Sequence, residues 1–592
     1  MTDGPALGVE RSVSGRRWVW RGHDPRRAAQ LSQRLELPEL LGRLLAARGL
    51  DAEGAADFLA PTLRALLPDP SRLVDMDAAA ARLADAAQRG ERVAVFADYD
   101  VDGACSGALM VEALRGWGVE VTRAYVPDRI AEGYGPNVPA LERLMDEGAA
   151  LLVLVDCGIA AADVLRAAEG RAEVVVLDHH KSEGDLPRIA AAVNPNRLDC
   201  PSGQKHLCAA GVAFLAAVAT GRELRRRGFF GPARPEPDLK RLLDLVALAT
   251  VCDVVPLAGV NRAFVQQGLR VLAGRARPGL AALMDVAGTR GAPDAWTLGF
   301  ALGPRINAGG RISVPDLGLR LLLEEDPLEA RAMAERLNEV NRRRQEVEAG
   351  VLAQALSLGE RQVQAGHAVL MVAGEGWHPG VVGIVAGRLR ERFNRPACVA
   401  GVDGAVAKGS GRSVPGLDLG AAVIAARQMG LLRFGGGHAM AAGFTAEPGR
   451  LDEFHAHLDE RLAAARDLPG VAELVVEGAL HLRGATAELA HQVARLSPFG
   501  AGNEEPAFVI ARARVVKAGR VGKEGATVRA FLEGEDGGRL KAVCFRAKEG
   551  PLAEALLATG QGPLAVAGHL RLDSWNGEDT PCLHLLDAAR TT

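Results

Sequence analysis

Between about residues 76 and 270, short apolar runs alternate with longer stretches whose apolar residues have helical spacing. Each run ends abruptly at polar residues, a pattern typical of strands that are buried on both faces of a parallel sheet. Strands and helices in alternation predict a doubly wound α/β sheet for this stretch. The predicted strands are Arg92–Ala97, Leu151–Val155, Glu173–Leu177 and Leu245–Val251.

A cluster of potential metal ligands follows directly after each of these runs. The clusters are Asp98-Tyr99-Asp100-Val101-Asp102-Gly103, Asp156-Cys157-Gly158, Asp178-His179-His180 and Cys252-Asp253. In an open α/β sheet, ligands bind in the crevice beyond the carboxyl ends of the strands. We therefore expect these carboxylates and imidazoles to converge at one edge of the sheet.

The chemistry of the clusters predicts a metal-dependent active site. Several carboxylates in one place repel each other and take up protons unless cations neutralise them. Carboxylate oxygens with one or two imidazoles, and with no thiolate required, favour Mn²⁺ or Mg²⁺ over structural zinc. Two such ions activate water and stabilise the attacking and leaving oxygens of a displacement at phosphorus. The clusters therefore predict two-metal phosphoester hydrolysis.

Each cluster has a simpler interpretation when it is taken alone. An isolated Asp-x-Asp is commonly a turn or a helix N-cap, so Asp102-Gly103 could simply precede a helix over Ala104–Trp117. A His-His pair often belongs to a surface loop, and Cys157 and Cys252 are expected to be small buried residues rather than ligands. Because four such clusters follow four predicted strands within one stretch, we favour the metal site.

The rest of the pattern indicates further domains. A long amphipathic stretch from Asp326-Pro327 to about Leu358 predicts a helix that connects two lobes, and short alternating runs near the end predict a small β-barrel. The first segment has a helical pattern over Pro38–Ala47, and its function is not readable. The predicted domains are a lead-in segment (1–75), a doubly wound parallel sheet domain (76–270), a connecting helical region (271–360), a second α/β domain (361–468) and a β-barrel domain (469–592).

Four further segments carry glycine-rich or otherwise distinctive motifs. They are Gly303-Pro304-Arg305-Ile306-Asn307-Ala308-Gly309-Gly310-Arg311, Trp377-His378-Pro379-Gly380-Val381-Val382-Gly383, Phe434-Gly435-Gly436-Gly437-His438 and Ser497-Pro498-Phe499-Gly500-Ala501-Gly502-Asn503-Glu504-Glu505-Pro506. Together with the aspartate clusters, they resemble the motifs of the DHH phosphoesterases, and among these the bacterial RecJ single-strand-specific DNA exonucleases. The resemblance covers residues 75 to 590 approximately. It implies a multidomain α/β fold, with a DHH domain, a connecting helix, a DHHA1 domain and an OB-fold barrel.

The resemblance also implies an activity and a ligand set. The activity is 5′→3′ hydrolysis of single-stranded DNA to 5′-mononucleotides in DNA repair and recombination, with two Mn²⁺ or Mg²⁺ ions and with a single-strand-binding protein and a helicase as partners. His180 is expected to be a neighbour of the ligands or a proton donor. The implied metal ligands are Asp98, Asp100, Asp102, Asp156, His179 and Asp253, and the implied catalytic residues are Asp100, Asp102, Asp156, His179, His180 and Asp253.

Residues that could bind the substrate lie in two glycine-containing segments and one basic segment. Arg305 and Arg311 flank Asn307-Ala308-Gly309-Gly310, which we interpret as a loop that a ligand can approach closely. The Gly435–His438 segment could present backbone N–H groups to a phosphate. By resemblance, Ser410, Arg412 and Arg305 form a 5′-phosphate pocket. The complete set of substrate-binding candidates is Arg305, Asn307, Arg311, Ser410, Arg412, Gly436, Gly437 and His438.

The predicted barrel contains aromatic and basic residues that could contact a single strand. OB-folds bind single strands by stacking bases on aromatic rings above a basic groove. The available residues are Phe531, Phe545, Trp575, Lys541 and Arg546. For Phe531 and Phe545, we favour the alternative that they fill the core of the barrel.

Composition limits the classes of protein to consider. A chain of 592 residues is too long for one core, and its eight cysteines show no Cys-x-x-Cys spacing. Its net charge of −3 excludes a globally basic nucleic-acid binder, so any groove for DNA must concentrate its positive charge locally. Residues 1–22 lack the apolar core of a signal peptide and no stretch resembles a membrane span, so we expect a cytoplasmic protein.

Two other functions remain open from the sequence. The DHH and DHHA1 pair also occurs in phosphodiesterases that act on short oligonucleotides or cyclic dinucleotides, but these relatives are shorter and generally lack the barrel. A binding subunit that has lost catalysis would be expected to lack ligands, and the expected aspartates and histidines are present.

Overall fold

The computed structural model describes residues 4–129, 131–181, 186, 188–467, 472–522, 525–545, 547–558, 560, 562–575 and 578–590. The strands are β1 (Arg17–Trp20), β2 (Arg92–Ala97), β3 (Glu120–Tyr125), β4 (Leu151–Val155), β5 (Glu173–Leu177), β6 (Ala191–Val193), β7 (Leu370–Glu375), β8 (Ala397–Asp403), β9 (Val406–Arg412), β10 (Phe434–His438), β11 (Ala441–Ala446), β12 (Glu473–Val476), β13 (Gly478–Ala479), β14 (Phe508–Val521), β15 (Thr527–Gly534), β16 (Arg539–Cys544), β17 (Leu564–Trp575) and β18 (Glu578–Arg590).

The helices are α1 (Pro25–Arg34), α2 (Glu39–Ala47), α3 (Ala52–Leu59), α4 (Leu63–Leu66), α5 (Met76–Arg89), α6 (Val101–Gly116), α7 (Val138–Asp146), α8 (Ala162–Leu165), α9 (Ala209–Arg226), α10 (Leu243–Cys252), α11 (Gly259–Ala273), α12 (Pro278–Val286), α13 (Gly303–Ile312), α14 (Leu317–Leu323), α15 (Pro327–Gln364), α16 (Pro379–Phe393), α17 (Leu419–Gln428), α18 (Leu451–Arg461), α19 (Ala487–Ala494) and α20 (Pro551–Leu557). A π-helical turn, Thr297–Leu302, precedes α13.

The chain forms two compact units. Unit 1 comprises Met1–Ala55, Gln345–Ser497 and Glu505–Thr592, and unit 2 comprises Ala56–Arg344 and Pro498–Glu504. The division falls inside α15, the helix that the amphipathic pattern after Asp326-Pro327 predicts.

Unit 2 is built on a parallel sheet with the strand order β3-β2-β4-β5-β6. Alternate residues of its central strands face two different cores. Val93 and Val95 pack with α5, α6 and α9 on one face, whereas Ala94 and Phe96 pack with α7 on the other. The order of connection reverses between β2 and β4, so this is a doubly wound sheet whose topological switch point lies between those two strands.

Three of the four predicted strands are confirmed with the predicted bounds, and the fourth is wrong. The run Leu245–Val251 belongs to the helix α10, with Asp253 as its C-cap residue. The run is apolar on all sides because the helix is surrounded by protein, and a short apolar run of this kind does not distinguish a buried strand from a buried helix. The predicted helix over Ala104–Trp117 is also confirmed, as α6, and it begins three residues earlier.

The Asn307–Gly310 segment was expected to be a loop, and this expectation is wrong because the segment lies inside α13. Its glycine does permit a close approach, but to another part of the chain. A Cβ atom on Gly310 would lie 2.6 Å from the carbonyl oxygen of Tyr99. The helix α13 therefore packs directly against the backbone of the first aspartate cluster.

Unit 1 contains the second α/β sheet and the predicted barrel. The sheet has the order β10-β11-β9-β8-β7, in which β7 and β8 are parallel and the other pairs are antiparallel. The barrel has the order β14-β15-β16-β18-β17 and closes through pairing of β17 with β14. The strand β1 pairs in parallel with β12, and the indole of Trp18 is buried, where its Nε1 donates to Asp587.

The second glycine segment, Gly435–His438, was expected to present backbone N–H groups as a loop, whereas it forms the edge strand β10. A Cβ atom on Gly437 would lie 2.3 Å from the carbonyl oxygen of Ala441. Close pairing with β11 therefore accounts for this glycine. In the described part of the chain, no helix is both long enough and apolar enough to cross a bilayer.

The packing of α10 against α11 gives a test of how Asp253 is positioned. A Cβ atom on Gly268 would lie 2.1 Å from the carbonyl oxygen of Leu243 and 2.4 Å from the Cβ of Ala247. We expect Gly268→Ala to destabilise the protein by about 1–3 kcal/mol despite its better helix propensity, measured as a lower urea midpoint by circular dichroism. Gly350→Ala in α15 is the control, since no atom lies within 4 Å of the added Cβ, and it should raise the midpoint. A midpoint that rises in both variants would contradict this packing.

Candidate metal centre

The predicted ligands on the first two central strands lie at the switch point of the sheet. Asp98 follows β2, and Asp100 caps α6 through a hydrogen bond from the Gly103 amide at 3.0 Å. Asp156 follows β4 and has a φ of 60°, in the left-handed region, where aspartate is tolerated better than most residues. The aspartates are brought together because β2 and β4 are neighbours and both end at this edge.

His179 lies at the centre of the site. Its Nε2 is 3.3 Å from Asp156 Oδ1 and 3.7 Å from Asp102 Oδ2, and its Nδ1 is 3.8 Å from Asp253 Oδ2. Asp253 therefore reaches the same centre from the end of a helix, although the sequence predicted that it follows a strand.

The ligand atoms form overlapping groups that could each hold a cation. In three groups, all ligand atoms lie within 4.8 Å of one another. Asp156 belongs to two of these groups and His179 also belongs to two, so the groups share ligands as neighbouring ions would require. The groups are Asp98 with Asp100 and Asp156, Asp156 with His179 and His180, and Asp102 with His179 and Asp253.

Three buried carboxylate oxygens in the centre accept no hydrogen bond from the described residues. They are Asp98 Oδ1, Asp156 Oδ1 and Asp253 Oδ2. Burial and neighbouring carboxylates raise the pKa of Asp98 and of Asp156 well above the usual range, and burial followed by the charges of Asp102 and Asp100 raises the pKa of Asp253 to about 8. Unpartnered oxygens that resist ionisation fit a site for hard divalent cations such as Mn²⁺ or Mg²⁺.

Asp102 has a second role, as an anchor for α9. Its two carboxylate oxygens accept hydrogen bonds from the amides of Ala209 and Ala210, at 2.6 and 2.8 Å. These amides open α9, and the N-terminus of a helix attracts negative charge. Asp102 is thus held in place by hydrogen bonds within the chain, and it is a helix residue rather than part of a surface turn.

The two histidines are positioned by residues that the sequence analysis did not assign. Asp178 Oδ1 accepts hydrogen bonds from the amides of His179 and His180 and lies 2.8 Å from His180 Nδ1. Asn194 donates to the carbonyl oxygen of His180, and Asn196 to that of His179. The signal for these residues was present, since Asp178 opens its cluster and Asn194-Pro195-Asn196 directly follows β6.

The contact with Asp178 determines the protonation of His180. Burial lowers the pKa of His180, but the hydrogen bond and the charge of Asp178 outweigh burial and raise this pKa to about 9. The hydroxyl of Tyr134 lies 3.1 Å from His180 Nδ1 and 3.1 Å from the carbonyl oxygen of Asp156. Tyr134 therefore joins the second aspartate cluster to the histidine pair, although nothing in the sequence distinguished it.

A cavity of about 310 Å³ opens beside the aspartates. The predicted residues Asn307 and Arg311 line it together with Asp98, Asp100 and His180. Arg129 and Tyr134 also line it and were not predicted. The cavity therefore combines acidic metal-binding groups with two guanidinium groups, as a site for a phosphate ester requires.

Arg305 does not line this cavity within the described residues. Its Nε donates to Asn338 Oδ1 at 3.0 Å, and its Nη1 donates to the carbonyl oxygen of Ala301 at 2.6 Å. Burial lowers the pKa of its guanidinium. In this conformation, Arg305 fastens α13 to α15.

The predicted phosphate-binding residues Ser410 and Arg412 belong to unit 1. Ser410 and Arg412 lie on the same face of β9, and both approach Gly383 near the beginning of α16. A Cβ atom on Gly383 would lie 3.2 Å from Arg412 Nη2 and 3.3 Å from Ser410 Oγ. His438 is exposed at the end of β10. A hydroxyl, a guanidinium and a helix N-terminus together have the composition of an anion site.

The preferred interpretation of the barrel phenylalanines is wrong. Phe531 is 39% exposed and Phe545 is 58% exposed, so neither fills the core. Phe531 lies between Lys517 and Lys541 on the neighbouring strands. Small residues and leucines fill the barrel interior instead. Arg546 and the side chain of Trp575 lie outside the described part of the chain.

Comparison with known proteins places this geometry in a family. A model of the DHH family, N-terminal domain, matches residues 92–250, a model of the DHHA1 domain matches residues 364–464, and a model of the RecJ OB domain matches residues 476–587. The single-stranded-DNA-specific exonuclease RecJ of Bacillus subtilis is 33% identical over 584 residues, which cover 98% of this chain and 71% of that relative. The corresponding Escherichia coli protein is 39% identical over 80% of this chain and 83% of its own length.

A solved structure has the same fold over most of its length. The crystal structure of RecJ in complex with Mn²⁺ from Thermus thermophilus matches with a TM-score of 0.79 and 29% sequence identity. The match covers 97% of this chain and 80% of that one. A second structure from the same organism contains Mg²⁺ and matches with a TM-score of 0.71.

The hydrogen bonds of the aspartates predict opposite effects of two conservative substitutions on the metal-free protein. Asp253→Asn replaces a carboxyl group whose ionisation is opposed by burial and by its acidic neighbours, so it removes the cost of burying that group and we expect metal-free protein that melts about 2–4 °C higher. Asp102→Asn leaves one α9 amide facing an amide donor and should cost about 1–3 kcal/mol. Differential scanning fluorimetry in EDTA measures both melting temperatures. Titration calorimetry should show at least about tenfold weaker Mn²⁺ binding for Asp253→Asn.

The two results test different parts of the centre. Unchanged Mn²⁺ affinity in Asp253→Asn would remove this residue from the ligand set. Equal melting temperatures of the two variants in EDTA would contradict the anchoring of α9 by Asp102.

Proposed function

Since the chain belongs to the RecJ family of DHH phosphoesterases, we propose that it is an exonuclease that hydrolyses single-stranded DNA from the 5′ end and releases 5′-mononucleotides. The observation that carries this proposal is the overlap of three ligand groups beside a cavity that contains Arg129 and Arg311. The enzyme would bind two Mn²⁺ or Mg²⁺ ions. The residues that would hold them are Asp98, Asp100, Asp102, Asp156, His179 and Asp253.

Ions held by these residues would lower the pKa of a coordinated water near neutral pH and would stabilise the negative charge that develops on the phosphate. The residues of the chain contribute binding, orientation and a proton. Arg129 and Arg311 line the cavity where the scissile phosphate would lie. His180 engages Asp178 through Nδ1, and its Nε2, which lies 3.4 Å from the Tyr134 hydroxyl, is the nitrogen that we propose donates a proton to the leaving oxygen. Such division of roles is typical of phosphoryl transfer, in which positioning and electrostatics dominate.

The arrangement of Ser410 and Arg412 supports recognition of a terminal phosphate. Their side chains lie against the first turns of α16, whose N-terminal amides favour an anion. Gly436, Gly437 and His438 lie on the edge strand β10 of the same sheet, where we propose that they contact the terminal nucleotide. A site for the 5′-phosphate would determine the polarity of digestion.

The exposed surface of the barrel supports contact with bases. Lys517, Phe531 and Lys541 form a row across three strands, and Phe545 packs edge-on to His584 with ring centroids 5.1 Å apart. Lys541 is paired with Asp573, so Lys517 is the lysine of this row that supports the proposal. An exposed aromatic ring next to a lysine suits a single strand whose bases are unpaired.

We propose the domain limits 1–75, 76–270, 271–360, 361–468 and 469–592, a cytoplasmic location where chromosomal DNA is accessible, and cooperation with a helicase and a single-strand-binding protein. The helicase would supply the unpaired strand that such an exonuclease requires.

The proposal is tested by a time course on a long single-stranded DNA labelled at its 3′ end, with Mn²⁺ present. We expect labelled fragments that shorten gradually and that are absent with EDTA and on a blunt duplex of the same sequence. Cleavage of an accompanying dinucleotide without cleavage of the long strand would instead identify a phosphodiesterase for short oligonucleotides. Loss of label in the first seconds would indicate digestion from the 3′ end and would contradict the polarity.

The role of Arg412 is tested with substrates that differ at the 5′ end alone. We expect Arg412→Ala to raise the KM for a 5′-phosphorylated strand by about tenfold or more, with a smaller change in kcat, because a charge-assisted contact in binding is lost. Arg412→Lys keeps the charge but loses the bidentate fork, so its KM should lie between those of the parent protein and Arg412→Ala. Equal effects on 5′-phosphate and 5′-hydroxyl strands would exclude Arg412 from a terminal-phosphate site.

A further inference from the structure

Unit 1 contains a second cavity, of about 660 Å³, that none of the site residues described above lines. Four arginines line it, and the carboxylate among its lining residues is that of Glu391. The arginines are Arg11, Arg16, Arg388 and Arg392. A hollow with this excess of positive charge is an unusual feature in a chain whose net charge is −3.

One wall of the cavity is a turn near the N-terminus that the fold holds firmly. The amide of Ser12 donates to the carbonyl oxygen of Arg16 at 2.8 Å, and the amide of Arg16 donates to Ser12 Oγ at 2.9 Å. The amide of Val13 donates to Ala588 in the barrel at 2.9 Å. These hydrogen bonds hold the backbone of the turn that carries Arg16 and that directly follows Arg11.

The opposite wall is the last part of α16. Arg388 and Arg392 are four residues apart and so project from one face of the helix. Arginines are common near helix C-termini, where they compensate a macrodipole equivalent to roughly half a negative charge. That effect does not neutralise the other guanidinium groups of the cavity.

Three of the arginines have no carboxylate partner within the described residues. Arg388 lies 3.4 Å from Glu391 and 3.9 Å from Glu348. Arg11, Arg16 and Arg392 have no ion pair with a described residue. Like charges that converge on one hollow repel each other, and a bound anion removes that cost.

We propose that this basic cavity binds the phosphate backbone of single-stranded DNA as a second contact in addition to the active site. This inference rests on the proposed function. A volume of 660 Å³ exceeds that needed for one phosphate group, which favours a chain of phosphates. No aromatic residue of the described chain lines the cavity, so it would contact phosphates rather than bases and would not depend on sequence. The apolar residues that line it, Val13, Ala472 and Pro551, are too small a set to anchor an acidic peptide.

The test removes two of the unpaired charges with the double variant Arg16→Ala/Arg392→Ala. Binding of a fluorescein-labelled thirty-nucleotide oligothymidylate is measured by anisotropy in EDTA, across a series of KCl concentrations. We expect about tenfold weaker binding at low salt, and a log–log salt slope that falls by roughly 1.4, since each phosphate contact on a single strand contributes about 0.7.

The control is Arg427→Ala/Arg461→Ala, in which both arginines lie in last turns of unit 1 helices and do not line the cavity. It should bind within about twofold of the parent. Arg11→Ala, which alters an exposed side chain, provides a second cavity variant and should lower the slope by about 0.7. Unchanged affinity and slope in both cavity variants would overturn the proposal, as would an equal loss in the control.

Measurements of hydrolysis test the second-contact proposal independently of the proposed exonuclease function. Mn²⁺-dependent cleavage of a dinucleotide should be unchanged in the cavity variants, and a loss there would place these arginines in catalysis and overturn the second-contact proposal. A parent protein that cleaves no DNA, while the cavity variants still bind it more weakly, would reject the exonuclease and retain the binding site. A decaglutamate peptide is also tested as a competitor of DNA for binding to the parent protein. If the peptide competes and the cavity variants still bind DNA as the parent does, the cavity is a peptide site instead.

Discussion

The repulsion between carboxylates that the sheet brings together is the constraint on which the rest of unit 2 depends. Asp98, Asp102 and Asp156 are all nearly inaccessible to water, and burial beside like charges raises the pKa of each. A protein core excludes such groups unless something compensates them. Cations at the switch point provide that compensation, so the cost of the apo cluster is also the source of its affinity for metal.

The scaffold reduces this cost by fixing the carboxylates before any ion arrives. The N-terminus of α9 holds both oxygens of Asp102, and the first turn of α6 holds Asp100. Asp178 forms hydrogen bonds with the backbone amide and a ring nitrogen of His180. Burial raises the pKa of Asp178, but these hydrogen bonds outweigh burial and lower it. The aspartates therefore differ in how they are held: Asp102 and Asp178 accept hydrogen bonds that position them, whereas Asp98 and Asp156 each have a buried oxygen that accepts no hydrogen bond from the described residues. This preorganisation is what a metal site for catalysis requires.

The sequence allowed the sheet and most residues of the candidate metal centre to be predicted, because strands buried on both faces leave a continuous apolar run and the residues after it are constrained to one edge. The strands β2, β4 and β5 have the predicted bounds for this reason. The same reasoning failed for α10, which is also buried on all sides, although Asp253 still reaches the centre. Tyr134 and Arg129 could not be found, since the segment between β3 and α7 that carries them has no periodicity. Phe531 and Phe545 were misjudged because strand alternation does not reveal which face is the interior.

Charge in this chain acts through its local distribution and not through its total. Many arginines form ion pairs with carboxylates. Arg277, for example, is buried with Asp244 and Glu112; burial lowers its pKa, but the charges and hydrogen bonds of these carboxylates outweigh burial and raise it. The two charges of such a pair largely cancel in the electrostatic potential outside the protein. A chain with a slightly negative net charge can therefore still contain strongly basic cavities. The affinity for a polyanion depends on how many phosphates are contacted, because each contact releases a counterion. A few unpaired guanidinium groups in fixed positions can therefore bind DNA more effectively than a larger number of arginines that are paired with carboxylates.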